Sequence, residues 1–283
     1  MTSNLTPEKS TLGKKTVYCN QYDSNFLFPI SRKLKREQIG ILEKLPFFGF
    51  DVWNHYEISW LNEKGKPIVA IGKIVYSCDS ENIIESKSMK LYFNSFNNTK
   101  FKDINVVKKT IQNDLIEKLN SSFVSVDIIS VEQFQSEASI NRFNGFNGFN
   151  IDSLDITCTE YHNHPEFLTT ESEVLAETLC TDLLKSNCLV TNQPDWCSVQ
   201  INYQGKKINR EGLLKYIISF RNDNEFHEQC IEKIFMQILE RCKPVALTIY
   251  GRSTRRGGLD INSYRSTHPM NPAEISNIRL CRQ

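Results

Sequence analysis

The chain has 283 residues, 40% hydrophobic and 24% charged, a balance typical of a soluble globular protein, which excludes a disordered chain. Lys and Arg number 34 against 33 Asp and Glu, so the net charge of +1 leaves no electrostatic footprint for nucleic acid and points to a small-molecule partner. No apolar run approaches the roughly 20 residues of a membrane-spanning helix, and the 9 cysteines, an odd set without a C-x-x-C pair, argue against a disulfide framework or thiolate zinc site and suit a reducing cytoplasm.

In chain order, the polar start MTSNLTPEKSTLGKK lacks the apolar stretch of a secretory leader and reads as a flexible arm. Ile68 to Tyr76 predicts a strand. KLYFNSFNNTKF predicts a helical segment, and Ile104, Val107, Ile111 and Leu115 then recur at helical spacing. Phe123 to Ile128 alternates as a strand. The string FNGFNGFN, Phe143 to Asn150, is low in complexity, and its Gly and Asn mark a loop near the midpoint. Beyond it, Val174, Leu175, Leu179, Leu183 and Leu184 predict a helix that ends just before Cys188. Cys197 to Tyr203 predicts a strand closing on a Gln204-Gly205 turn. A second helical segment (KYIISFRNDNEF) follows, then an amphipathic helix through Ile231, Ile234, Phe235, Ile238 and Leu239, and a strand from Val245 to Tyr250.

The two halves repeat. Lys90, Ser95, Phe96 and Phe101 correspond to Lys215, Ser219, Phe220 and Phe226 with a slip of one residue, and each set precedes a helix and then a strand. The pattern predicts an α+β protein of two diverged modules, residues 1–150 and 151–283, each an antiparallel sheet with helices on one face.

Three clusters carry chemistry. In SNCLVTNQPDW, Cys188 lies in a Pro-containing stretch seven residues before Asp195; a thiol so placed is either a reactive nucleophile or, as most lone cysteines are, a core residue. In EFHEQC, His227 and Glu228 open a helix, where both reach into a cleft or where the acid merely complements the helix N-terminus. In ESKSMKLY and TRRGGLD, cationic groups beside Gly257-Gly258 suit a phosphate or an ordinary surface turn. No G-x-G-x-x-G follows a strand, so a Rossmann dinucleotide site is not predicted.

Taken together, ESKSMKLY, NCLVTNQPDW, SFRNDNEFHEQC and RRGGLDIN, in this order, resemble the NADPH-dependent 7-cyano-7-deazaguanine (preQ0) reductases of queuosine biosynthesis in their long, two-module form. The likeness runs from LGKKTVY to DINSYRS, and the Phe-Asn-Gly repeat departs from it. It implies tandem tunnelling-fold modules and a cytoplasmic homodimer. It also implies that Cys188 attacks the nitrile carbon to give a thioimide, with Asp195 as proton donor and His227 handling a second proton. Nitrile to amine takes four electrons, hence two NADPH per turnover and no metal. Glu228 matches the anchor for the base, with His227, Ile84, Glu85 and Ser86 as further substrate contacts; Ser86, Lys87, Arg256 and Gly257 match the NADPH positions. Glu85-Ser86-Lys87 survives only in the first copy and Phe226-His227-Glu228 only in the second, so catalysis is expected to need both.

Other classes fit less well. A zinc cyclohydrolase of the same fold needs a Cys/His/Cys set, but position 191 is Thr. An amidine-forming relative has no cofactor motif such as ESKSMKLY, and a base-binding module would use neither thiol nor cofactor.

Overall fold

The structure, a computed structural model, describes residues 21–133 and 145–283. The N-terminal arm with LGKKTVY, and Phe143 and Asn144 of the Phe-Asn-Gly repeat, lie outside the described residues. In chain order the principal elements are β1 (Pro29–Ser31), α1 (Lys33–Gln38), β2 (Phe48–Leu61), β3 (Pro67–Ser77), β4 (Asn82–Ile84), α2 (Ser86–Phe96), α3 (Ile104–Leu119), β5 (Val124–Ser130), β6 (Phe149–Asn150), β7 (Thr170–Asn187), β8 (Pro194–Ile208), α4 (Arg210–Ser219), α5 (His227–Cys242), β9 (Ala246–Ser253) and β10 (Leu259–Ser266).

Among the described residues the chain divides into two compact units, one of 21–34, 51–133 and Arg255–Asp260, the other of Lys35–Phe50, 145–254 and Ile261–Gln283. The boundary expected near residue 150 is therefore crossed twice. Residues 35–50 pack with the second unit because Arg36 donates to the Glu232 carboxylate (2.7 and 2.9 Å) and Phe47 meets Phe235 edge-on at 5.4 Å. Residues 255–260 pack with the first because Gly258 O accepts from Tyr56 N (2.9 Å) and Asp260 accepts from Asn54 Nδ2 (2.8 Å) and Tyr56 O–H (2.9 Å).

In the first unit β2, β3 and β5 lie side by side, β3 and β5 antiparallel from Ala70 opposite Ser130 to Tyr76 opposite Val124. Helices α2 and α3 enter between β3 and β5. Of the residues predicted for the inward face of α3, Val107, Ile111 and Leu115 are fully buried and Ile104, at its first position, is only half-buried; Leu119 extends the buried face by one more turn. Asp103 caps α3 by accepting from Asn105 N and Val106 N, and Asn120, in the left-handed region at φ 45°, ends it.

The second unit repeats the plan, with β8 antiparallel to both β7 and β9, β9 antiparallel to β10, and α4 and α5 between β8 and β9. The short β6 adds to β7 in parallel. Helix α5 has the same 16-residue length as α3 and ends the same way, on Lys243 at φ 48°. The short helices match in detail. Ser95 Oγ donates to Tyr92 O and accepts from Asp23 N, while Ser219 Oγ donates to Tyr216 O and accepts from His164 N. These pairs align Ser95 with Ser219 and therefore Lys90 with Leu214, so the sequence pairing of Lys90 with Lys215 is off by one residue.

Two predicted elements differ. Residues 170–187 form a strand, β7, and not the predicted helix, so Cys188 follows a strand. Leu, Ala and Glu in this stretch favour a helix locally, but β7 is held along its length by β8 and carries register shifts between Thr170 and Val174 and between Thr181 and Leu184. Those bulges break the alternation that would have marked a strand; Val174 is 70% exposed and Leu183 37%. Nor is there a turn at Gln204-Gly205, because β8 continues to Ile208. Gly205 answers a close approach instead: a Cβ there would stand 2.9 Å from Pro244 Cα.

Candidate active site

Cys188 opens the 188–193 turn that joins β7 to β8. Its N–H donates to Gln193 O (2.8 Å), and its carbonyl accepts from Asn192 N (3.0 Å) and Asn224 Nδ2 (3.3 Å). Asn192 takes φ 55°, a conformation Asn tolerates better than most residues. In the first unit the β2–β3 hairpin is closed by a turn one residue shorter, opened by Asn62, whose N–H donates to Lys66 O (2.9 Å) and whose carbonyl accepts from Gly65 N (2.9 Å). The second copy thus opens its longer turn with a thiol where the first opens its turn with Asn. The Cys188 residue is 6% exposed.

Asp195, the second residue of β8, pairs with Ser186 on β7, two residues before Cys188, so the strand ladder brings the carboxyl to the turn that bears the thiol. His227 opens α5, with Nε2 3.9 Å from Asp195 Oδ1 and Nδ1 3.0 Å from Ser253 Oγ. Glu228 follows in the first helical turn, buried at 2% exposure. Phe226 at the N-cap makes no side-chain capping bond, so the amides at this end favour a nearby carboxylate.

The segment before α5 is laced to the thiol's strand. Asn187 N donates to Asp223 O (2.8 Å) and Glu225 N to Asn187 O (3.0 Å). Lys185 Nζ donates to Asn187 Oδ1 and to Arg221 O, each at 2.6 Å. Burial, and then the Arg221 charge, hold the Lys185 ammonium below its ordinary pKa, while Asp195 opposes them. These bonds bring Cys188, Asp195, His227 and Glu228 to one end of the second unit. The sequence reading missed Asn224, Lys185 and Ser253. The polar run NDNEF beside His227 was a signal for Asn224, whereas Ser253 comes close only because β9 sets it opposite Cys197.

The first unit gathers the other motif residues. Ile84 ends β4, fully enclosed, and Glu85 caps α2, its carboxylate accepting from Lys87 N (2.7 Å), Ser88 N (2.8 Å) and Ser86 O–H (3.4 Å). Burial raises the Glu85 pKa and those donors oppose the rise. Arg256 and Leu259 exchange backbone bonds (2.8 and 3.0 Å) around Gly257 and Gly258, whose φ values of 57° and 81° define a tight hairpin turn that suits glycine. Lys90 Nζ donates to Gly257 O and Glu57, each at 2.6 Å, tying α2 to this turn. Ser86 and Lys87 thus share a unit with Arg256 and Gly257, although the predicted boundary separates them.

The remaining buried thiols are core residues. Burial pushes Cys197 up to about 12, Cys242 to about 11, and Cys230 well above its ordinary value.

A thiol on a hairpin turn, at the same end of its unit as a carboxyl, an imidazole and a second buried carboxylate, is the equipment of an enzyme that uses a cysteine together with acid–base groups. Comparisons narrow the class. The model for "Nitrile reductase, 7-cyano-7-deazaguanine-reductase N-term" matches residues 18–128, and that for "QueF-like protein" matches 194–271. An NADPH-dependent 7-cyano-7-deazaguanine reductase of Legionella pneumophila (strain Lens) is 55% identical over 276 residues, 97% of this chain and 95% of the relative. One from Acidovorax ebreus (strain TPSY) is 50% identical over 98% of this chain and 99% of its own. A solved archaeosine synthase QueF-Like in the apo form aligns with 36% of this chain at 14% identity and a TM-score of 0.31, too slight a likeness to inform the fold. The chain belongs to the 7-cyano-7-deazaguanine reductase family.

Proposed function

We propose that Cys188, Asp195, His227 and Glu228 carry out in this chain the reaction of its family, the NADPH-dependent reduction of the 7-cyano-7-deazaguanine nitrile to the aminomethyl base of queuosine biosynthesis. The observation that supports these residues most is the 3.9 Å approach of His227 Nε2 to Asp195 Oδ1 on the hairpin whose turn bears Cys188. In this reading the Cys188 thiol adds across the C≡N bond, sulfur to carbon and a proton to nitrogen through Asp195, giving a thioimide with no atom lost. A C=N bond of that kind accepts a hydride more readily than the nitrile does. His227 handles the second proton, and Glu228 anchors the base by accepting two parallel N–H bonds.

The residues assigned to NADPH fit a phosphate-bearing group. Gly257 and Gly258 form a turn flanked by Arg255 and Arg256, against which pack Glu57 and Lys90, an ion pair, Lys90 lying three residues beyond Lys87. When bound, NADPH supplies the hydride. Ser86, Lys87, Arg256 and Gly257 bind and orient it, and the guanidinium favours the 2′-phosphate. Ile84, Glu85 and Ser86 are assigned to the base as well; since Glu85 already caps α2, that role has its carboxylate accepting one bond more. The same reading takes two NADPH per base, tandem tunnelling-fold modules, a cytoplasmic homodimer and no metal. Among the described residues no helix is long and apolar enough to cross a membrane.

The test is NADPH oxidation on adding the cyano base. Two equivalents per base are expected, with none consumed by Cys188→Ala. Turnover retained in that variant overturns the assignment of the nucleophile.

A further inference from the structure

We propose that Ser253 is a positioning residue that fixes the tautomer of His227, so that the ring meets the reacting nitrogen with an Nε2–H. The inference rests on the assignment of His227 above and adds to it the form in which the imidazole works.

The argument starts from the serine. Ser253 ends β9, is 2% exposed, and its side-chain oxygen stands 3.0 Å from His227 Nδ1. A hydroxyl buried this deeply needs an acceptor for its proton. Two are in reach, His227 Nδ1 and the Cys197 sulfur, and sulfur is the weaker. Cys197 is itself a thiol at neutral pH, pushed up to about 12 by burial, and donates toward Ser198 O at 3.3 Å. The Ser253 O–H therefore donates to Nδ1, and a neutral imidazole that accepts at Nδ1 carries its proton on Nε2. That nitrogen is the one 3.9 Å from Asp195 Oδ1.

The serine is itself held. Its backbone carbonyl accepts from Gln283 Nε2 (3.0 Å), and β9 pairs it with Cys197 on β8, the strand that also carries Asp195. Both His227 and Asp195 are thus referred to one rigid sheet. The consequence is chemical: as sulfur adds to the nitrile carbon, negative charge develops on nitrogen, and a fixed Nε2–H stabilises it as a hydrogen-bond donor while Asp195 supplies the proton. The opposite tautomer would present a lone pair to that nitrogen.

The test is ¹⁵N NMR of histidine-labelled enzyme, with the His227 signals assigned by their loss in His227→Gln, beside steady-state kinetics. Wild type should show Nδ1 as an unprotonated acceptor and Nε2 protonated. Ser253→Ala should show a mixture of tautomers, a fall in turnover on the order of tenfold, and a KM for the base within about twofold. That loss is far smaller than the roughly 10⁴-fold seen when a catalytic histidine is locked in the wrong tautomer. Ser253→Thr, which keeps the hydroxyl, should restore both tautomer and turnover. A proton on Nδ1 in wild type, or unchanged tautomer and turnover in Ser253→Ala, overturns the inference. Wild-type turnover in His227→Gln instead overturns the assignment of His227.

Discussion

Replacing Glu232 tests how α5 is held. The residue is 1% exposed, and its carboxylate accepts from Arg36 Nε (2.9 Å) and Nη2 (2.7 Å) and from Arg265 Nε (3.2 Å) and Nη2 (2.9 Å), all within the second unit. Arg36 is 8% exposed and Arg265 fully buried, so Glu232→Gln leaves two guanidinium charges facing an amide in the interior. Breaking a buried ion pair from one side costs about 3–5 kcal/mol. Arg265 keeps bonds to Phe50 O (3.2 Å) and Tyr264 O (3.0 Å), which sets the expectation near 3 kcal/mol. At about 2–4 °C per kcal/mol for a domain of this size, the midpoint falls by roughly 6–12 °C. Removing all three charges as Glu232→Leu, Arg36→Met and Arg265→Met together should recover most of the loss, because apolar groups of similar volume carry no desolvation penalty. The assay is urea and thermal unfolding followed by circular dichroism, with NADPH oxidation at low temperature to show that the folded fraction still works. Glu232→Gln within 1 kcal/mol of wild type, or a triple variant less stable than the single one, would refute the reasoning.

Three further outcomes follow from particular contacts. His55, its Nδ1 3.1 Å from Gly258 O and its ring 4.2 Å from Phe93, is lowered by burial from its ordinary 6.5 to about 4. Because the folded value is the lower one, its contribution is present above pH 6.5 and is lost as the pH falls toward 4; at about 1.4 kcal/mol per pH unit this is about 3 kcal/mol. Denaturant titrations at pH 7 and pH 4 should show that loss, and His55→Leu should flatten it; an equal slope in both proteins would be contrary. Gly251→Ala sets a Cβ 2.4 Å from Ile231 Cδ1 and 3.2 Å from Cys197 Sγ, so it should cost about 1–3 kcal/mol, in part restored by Ile231→Val, with neutral substitution the contrary outcome in unfolding assays. Asp195→Asn should keep calorimetric affinity for the base and lose at least about a hundredfold in turnover, since an amide is no acid; undiminished turnover would remove it from the chemistry.

The parts of the fold written in local periodicity were legible. Helix α3 buries Val107, Ile111 and Leu115 as its spacing predicts, and Ser95 and Ser219 announced the repeat that their matching bonds to Tyr92 and Tyr216 bear out. Strand β7 was not legible, because its helix-favouring residues are overruled by pairing with β8 and its bulges erase the alternation. The exchange of residues 35–50 and 255–260 between units rests on Arg36 with Glu232 and on Asp260 with Asn54 and Tyr56, pairs separated by nearly 200 positions or more, which no local pattern encodes. A cut within the Phe-Asn-Gly loop would part both segments from the units they pack in, so separate halves should fold less readily than a clean tandem repeat would. At the site, Cys188 stood out through resemblance and not through its own pattern, and Ser253 carried no signal at all.

The most direct measurement is intact mass and peptide mapping of the protein mixed with the cyano base and no NADPH. Addition of S–H across the nitrile loses nothing, so the account predicts a gain of the mass of one base per chain, located on the peptide that contains Cys188 and absent from Cys188→Ala. No adduct under conditions where the base binds, or an adduct on another cysteine, would contradict it.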